Sequence, residues 1–328
     1  MPNARLKSKT PIPVGLFPFS GHRNSFFAKS APHSSTNISS GRHTTNLSNW
    51  GRWGADDMLG TLNLMTQEGI RNAAGRVKSG KAYSLSVPLE AEGPQWPPRQ
   101  KLWRITQFWN DLSNWGGSCD AVIMHSHSGT HIDALSHFWY NGKMYNGFDG
   151  AEHVTSYGAT RHSIDNVPFI IGRGVLLDIA GWKWVEHLGL GEPVAADDLD
   201  QCAKAQNIKV QSGDIILLRT GWMRVFAQDR ALFDRGEPGI DESTLPWLKD
   251  HDVIAIGADN HAVEVIENIP PTDLPIHRYA IRDLGMYLME NFYLEEIAAD
   301  KAYESLVVIA PLSLTAGAGS PINPIAIT

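Results

Sequence analysis

Cysteine is scarce: Cys119 and Cys202 are the two in 328 residues, which leaves no disulfide framework and no thiolate zinc cluster. A metal on this chain therefore has to be held by imidazole and carboxylate. Long apolar runs are missing as well. Candidates such as 169–171 and 215–218 are strand-sized, against the roughly 18 residues that cross a bilayer, so no membrane partner is expected. Clustered positive charge is also absent: the formal net charge is -7, the isoelectric point is near 6.0, and Lys and Arg are scattered, which argues against nucleic acid as a partner. Acidic residues are absent from the first 55 positions, which carry Arg5, Lys7, Lys9, Arg23, Lys29, Arg42 and Arg52 among Ser, Thr and Asn. That composition suits an organellar transit peptide, a flexible tail or an arm laid on a neighbouring subunit. No compact apolar run leads to a small-residue cleavage site, so the expected location is the cytoplasm, with organellar targeting as the alternative.

Hydrophobic side chains make up 42% and charged ones 19% of the chain, enough for a sizeable core. Residues 1–48 read as an extended or flexible arm, and folding is expected over 49–328. Thr66 opens a short helix of the capping type. Residues 83–89 alternate as a half-buried strand does. The runs 174–179 and 213–219 are short, β-branched and bounded by turn residues, as strands buried on both faces are. Residues 196–206 and 243–249 read as helices, and 253–256, 306–310 and 324–327 as further strands. Strands and helices interleave, so the expected fold class is α/β, one domain with a mixed-sheet core.

Residues 127–137 read His-Ser-Gly-Thr-His-Ile-Asp-Ala-Leu-Ser-His. His127, His131, Asp133 and His137 offer the nitrogen and oxygen donors that zinc, manganese or ferrous iron accept in the absence of thiolate. In a straight strand His127 and His131 would lie about 13 Å apart. In a regular helix Asp133 would point away from both. A sharp bend at Gly129 serves all three, with the Thr130 hydroxyl supporting the bend or capping a helix from His131 onward. A helix over the later residues would then bring His137 to the same side one turn on, where an unligated histidine can shuttle protons. Three protein ligands leave a position open for water. A structural zinc site is the competing interpretation.

Other features weigh less. Asp259 and His261 follow a strand and are expected to line the pocket as substrate-binding residues. Residues 317–321, Gly-Ala-Gly-Ser-Pro, read as a tight connection, since no Walker lysine follows. None of Ser126, Ser128 and Ser136 sits in a Gly-x-Ser-x-Gly elbow. Trp182, Trp184 and Trp222 are expected to pack, and His125 to stand beside the cluster without binding metal.

The 127–137 run matches every fixed position of His-x-Gly-Thr-His-x-Asp-x-x-x-His, and the chain thereby resembles the cyclase family of metal-dependent hydrolases, which includes kynurenine formamidases and isatin hydrolases. Residues 49–54, 59–63, 213–222, 289–292 and 317–321 also resemble landmarks of its longer members. The resemblance implies a swivelling β/β/α fold, His127, His131 and Asp133 as metal ligands and His137 as proton donor and acceptor. In two-metal formamidases a later His and Glu hold a second ion, and His277 and Glu290 are the similar positions here. Isatin hydrolase-like members use one ion, so one or two ions per chain, Mn2+ or Zn2+, remain open. Trp96, in Gly-Pro-Gln-Trp-Pro, corresponds to an aromatic residue that flanks substrate. Leu135 stands where formamidases often carry proline. The resemblance implies hydrolysis of a small-molecule amide, cyclic or N-formylated, by a homo-oligomer, dimer or tetramer. An ester or lactone hydrolase at the same centre is the first alternative, and a non-catalytic metal- or ligand-binding protein the second.

Overall fold

The computed structural model describes residues 47–97, 99–111 and 115–328, with the backbone alone at Asp111. All but the last two residues of the arm expected over 1–48 lie outside the described residues. From Leu47 onward the described residues belong to one compact unit.

Among the described residues nine strands form one mixed sheet: β1 (Ala82–Ser84), β2 (His131–Asp133), β3 (Ile170–Asp178), β4 (Ile215–Arg219), β5 (Ala255–Ala258), β6 (Tyr287–Glu290), β7 (Glu304–Ile309), β8 (Gly319–Pro321) and β9 (Ile325–Ile327). Their spatial order is β1-β9-β7-β3-β4-β5-β6-β2-β8. Strands β3 to β6 run parallel. The pairs on either side of this block are antiparallel. The apolar runs that form β3 and β4 are buried on both faces, all five residues of β4 among them, as parallel strands under two layers must be. Helices Gln67–Ala74, Ala196–Ala205 and Thr244–Asp250 connect the strands. Thr66 Oγ1 accepts from Gly69 N at 3.0 Å and so caps the first. No helix of the described residues is long and apolar enough to cross a membrane.

Four expectations need correction. The strand expected over 83–89 stops at Ser84, because Val87 N donates to Thr130 Oγ1 at 2.9 Å and no longer to a neighbouring strand. Residues 319–321 form a strand, β8, not a tight connection, since the backbone runs beside β2 and pairs with it. Trp222 packs in the core, but Trp184 is 94% exposed. The segment after His131 is a strand and a turn, not a helix, as set out below.

Trp103–Asp111 and Trp115–Ile123 pair antiparallel as a two-stranded hairpin separate from the main sheet. No apolar alternation toward a core marks it in the sequence. Its described strand residues are exposed apart from Gly117, which is half-buried.

Candidate metal centre

The site is built by one bend, one three-residue strand and one turn. At Gly129 the backbone adopts φ +61°, the left-handed region that favours glycine, and a Cβ there would also push aside the end of the Leu89 side chain. Gly129 N donates to Pro94 O at 2.9 Å. Thr130 Oγ1 then donates to Asn291 O at 2.7 Å, which fastens the bend to the chain beyond β6. Strand β2 places His131 and Asp133 two residues apart, on the same side of the sheet. Ladders occupy both its edges, with His131 opposite Glu290 on β6 and Asp133 opposite Gly319 on β8. That pairing keeps 131–133 extended, which is why the expected helix does not form. The chain turns after β2, with His137 N donating to Ala134 O at 2.9 Å, and this turn returns His137 to the cluster.

Asp133 stands between the imidazoles. Its Oδ1 is 3.3 Å from His127 Nε2 and 3.9 Å from His131 Nε2. Its Oδ2 is 3.6 Å from His277 Nε2 and 3.9 Å from His137 Nε2. Glu290 lies 2.9 Å from His131 Nε2 and 3.2 Å from His277 Nε2. His277 opens the π-helical segment His277–Leu284, an uncommon conformation that gathers at functional sites. The structure thus brings together His127, His131, Asp133, His137, His277 and Glu290. The carbonyl of Gly129 accepts from His131 Nδ1 at 2.8 Å, and the Glu264 carboxylate accepts from His277 Nδ1 at 2.6 Å. Each bond fixes a ring and leaves Nε2 directed into the cluster.

Burial, reinforced by neighbouring His137, pushes the His127 imidazole down to about 3. Burial, followed by His277, pushes His137 down to about 3 as well. Burial also disfavours a charge on His131 and His277, but Glu290 beside the first and Glu264 and Glu290 beside the second outweigh it and raise both. Asp133 is raised by burial and then by Glu290. Glu290, despite its burial, is held well below the usual carboxylate range by His131 and His277. Differently tuned neighbours of this kind mark functional sites.

The residues suit a divalent cation. His127 Nε2 and both carboxylate oxygens of Asp133 are buried without a hydrogen-bond partner, a costly state that a shared cation relieves. Donor atoms of His127, Asp133 and His137 lie within 4.8 Å of one another, as do those of Asp133, His277 and Glu290. The two sets share Asp133. A Cβ on Gly319 would meet His127 Nε2 at 2.5 Å, so β8 leaves room for the imidazole by lacking a side chain.

A cleft of about 530 Å³ opens onto the cluster, lined by His137, His277, Trp96, Arg99, Phe138 and Leu274 among others. Of the expected substrate-binding residues, Trp96 is on its wall. Asp259 is fully buried and accepts from Thr220 N, Thr220 Oγ1 and Gly221 N. His261 is buried with its ring 4.3 Å from that of Phe233. Neither is among the residues lining the cleft, although the His261 ring lies edge-on to that of Trp96 at 6.1 Å. His125 accepts from Gln100 N at 3.3 Å outside the cluster. Arg99, Phe138 and Glu264 were not anticipated. Phe138 adjoins His137 and was within reach of the sequence, whereas nothing in the sequence links Glu264 to a histidine 13 positions on.

Known proteins are similar over most of this length. A kynurenine formamidase of Geobacillus thermodenitrificans is 26% identical over 243 residues, 73% of this chain and 93% of that protein. An isatin hydrolase of Roseibium aggregatum is 24% identical over 245 residues, 70% of this chain and 81% of that protein. A crystal structure described as a novel cyclase superposes with a TM-score of 0.80 at 34% identity, covering 86% of this chain and 99% of that one. An isatin hydrolase bound to the product analogue thioisatinate shares the fold, with a TM-score of 0.57 at 20% identity over 80% of this chain and 99% of that one. The family model described as putative cyclase matches residues 83–265, more than half of the sequence, and the chain belongs to the cyclase family.

Proposed function

We propose that this chain is a metal-dependent hydrolase of small amides, cyclic or N-formylated. One observation carries the reading: buried imidazole and carboxylate donors, three of whose atoms lack a hydrogen-bond partner, converge at the floor of a cleft. His127, His131 and Asp133, the ligands the family resemblance implies, would hold one ion, with His137 of the gathered donors left for proton transfer, and Asp133, His277 and Glu290 would hold a second, Mn2+ or Zn2+. When bound, such a cation polarises a carbonyl and acidifies water. His137 is the histidine of the cluster that faces the cleft with part of its ring exposed, 22% of the side chain. Burial, followed by His277, holds it neutral at physiological pH. It can take the proton of the attacking water and pass it to the leaving nitrogen. Trp96, Phe138 and Leu274 give the cleft apolar walls beside the Arg99 guanidinium, which suits an aromatic amide. The relatives named for formamide and isatin substrates support the same class.

The test is metal analysis of the purified chain, joined to rates on N-formyl aromatic amines, cyclic imides and lactones before and after chelation. Chelation should abolish amide hydrolysis, and Mn2+ or Zn2+ should restore it. Stripped protein that works as fast as untreated protein rejects the proposal, and lactones cleaved in preference to every amide replace it with the ester reading.

A further inference from the structure

The segment from Pro94 to Arg99 is strapped across the bend at Gly129. Gly129 N donates to Pro94 O at 2.9 Å, and the backbones of Gln95 and Ser128 pair in an isolated bridge. The chain then turns, with Arg99 N donating to Trp96 O at 2.9 Å, and Trp96 and Arg99 both reach the wall of the cleft. Arg99 Nη1 donates to His127 O at 2.7 Å. That bond fixes the guanidinium on the backbone of a site histidine. Its Nε and Nη2 make no hydrogen bond, and Arg99 makes no ion pair, among the described residues. The neighbouring cations are paired: Lys101 with Glu92 at 2.6 Å and Arg278 with Asp273 at 2.9 Å. Asp273 is the single carboxylate among the described residues that line the cleft, and Arg278 offsets it.

We propose that Arg99 is the specificity residue of the cleft and selects aromatic amides that carry a carboxylate apart from the bond that is cleaved. The inference rests on the hydrolase reading and adds the charge of the substrate to it. The planar fork of an arginine holds a carboxylate through two parallel hydrogen bonds, and the edge formed by Nε and Nη2 is the pair left over once Nη1 is engaged. The walls beside it are apolar, from Trp96, Phe138 and Leu274, and an ion pair is stronger against such walls than in open water. Trp96 precedes Arg99 by three residues on the same turn, so an aryl carboxylate matches both, its ring on the indole and its charge on the guanidinium. The anchor of Arg99 is the carbonyl of His127 and not the imidazole, which sets the anion beside the metal-binding cluster and leaves the cluster to the scissile amide. With a net charge of -7 the chain as a whole repels an anion, so a local cation without a partner is what such a substrate needs.

The experiment compares formanilide with the ortho, meta and para formamidobenzoates as substrates of the metal-loaded chain, and benzoate with benzamide as unreactive ligands in calorimetric titration. Wild type should favour at least one formamidobenzoate over formanilide by about tenfold or more in kcat/KM, and benzoate over benzamide by a similar factor. Arg99→Met should remove both preferences, through a KM about 10–100-fold higher for the favoured acid. Any loss common to acid and neutral amide reports the broken clamp on His127 O and cancels in the ratio. Arg99→Lys keeps the charge without the fork and should retain part of the preference, while Lys101→Met, which removes a paired cation off the cleft wall, should leave it unchanged. About 1 M sodium chloride, which screens charges beyond roughly 3 Å, should narrow it in wild type, a reading that needs no variant to fold. Equal kcat/KM for formanilide and every acid, or a preference that survives Arg99→Met, overturns the proposal, the latter by assigning the anion to the metal. Turnover of no probe, with benzoate binding that still depends on Arg99, rejects the hydrolase reading and keeps the carboxylate site. Turnover without dependence on Arg99 does the reverse.

Discussion

Under the proposed reaction, His137 is the side chain whose removal should separate chemistry from metal holding. Its ring stacks on that of His127 at 4.1 Å and borders the cleft. His137→Ala should therefore leave metal content unchanged and lower the hydrolytic rate by about 10²–10⁴-fold, the usual yield of a positioned acid-base group. A parallel loss of metal would make it a ligand instead. The same variant carries a pH signature in metal-free protein. Burial and His277 hold His137 neutral in the folded chain down to about 3, while the unfolded chain protonates near 6.5. Its contribution to stability is thus full above about 6.5 and is lost as pH falls toward 3. Between pH 7 and 4 the melting temperature of His137→Ala should fall less than that of the wild type, and equal falls would refute the assignment. Gly319 is decided by distance alone: a methyl group would come to 2.5 Å from His127 Nε2 and 2.8 Å from Ile132 O. Gly319→Ala should displace the imidazole at a cost of about 1–3 kcal/mol. Calorimetric titration should then show weakened metal binding with the circular dichroism spectrum retained.

At the scale of elements, one carboxylate joins a helix start to His277, a proposed ligand. Glu264 is buried, accepts from Ile276 N at 3.0 Å and His277 N at 3.1 Å, and orients the His277 ring through Nδ1. Glu264→Gln keeps the shape and loses the charge. It should cost about 2 kcal/mol in stability and weaken metal binding at the His277 set by about 10–100-fold. Titration that finds both metal affinities intact would remove Glu264 from the site. Elements of this kind also show what a sequence conceals. The parallel strands β3 and β4 were legible because burial on both faces writes them as continuous apolar runs. The bend at Gly129 was legible because neither regular period could gather His127, His131 and Asp133. Strand β2 was not, since three residues are too few to show a period and the two ladders that extend them come from about 160 to 190 residues further on. Glu290 and His277 were reached through resemblance alone, for the same reason of distance along the chain. The hairpin escaped notice because its strands are exposed and show no apolar alternation toward a core.

For the whole molecule, the cation is a question of stability as well as of chemistry. The adjacent strands β2 and β6 carry Asp133 and Glu290, two buried carboxylates set among four imidazoles. The strands that carry these groups come from opposite parts of the sequence, so the folded chain presents the donors together and the unfolded chain does not. A ligand that binds the native state alone stabilises it by about 2.7 kcal/mol at a hundredfold excess over its dissociation constant. For a domain of this size that corresponds to roughly 5–10 °C in Tm. Chelated protein should melt lower by about that interval, and Mn2+ or Zn2+ should restore it in a concentration-dependent manner, whereas Asp133→Asn, which removes the carboxylate shared by both donor sets, should show little response. Differential scanning calorimetry on samples of verified metal content checks this without any substrate. If loaded and stripped wild-type protein melt together, the donors at Asp133 do not hold a resident ion, whatever activity the chain displays.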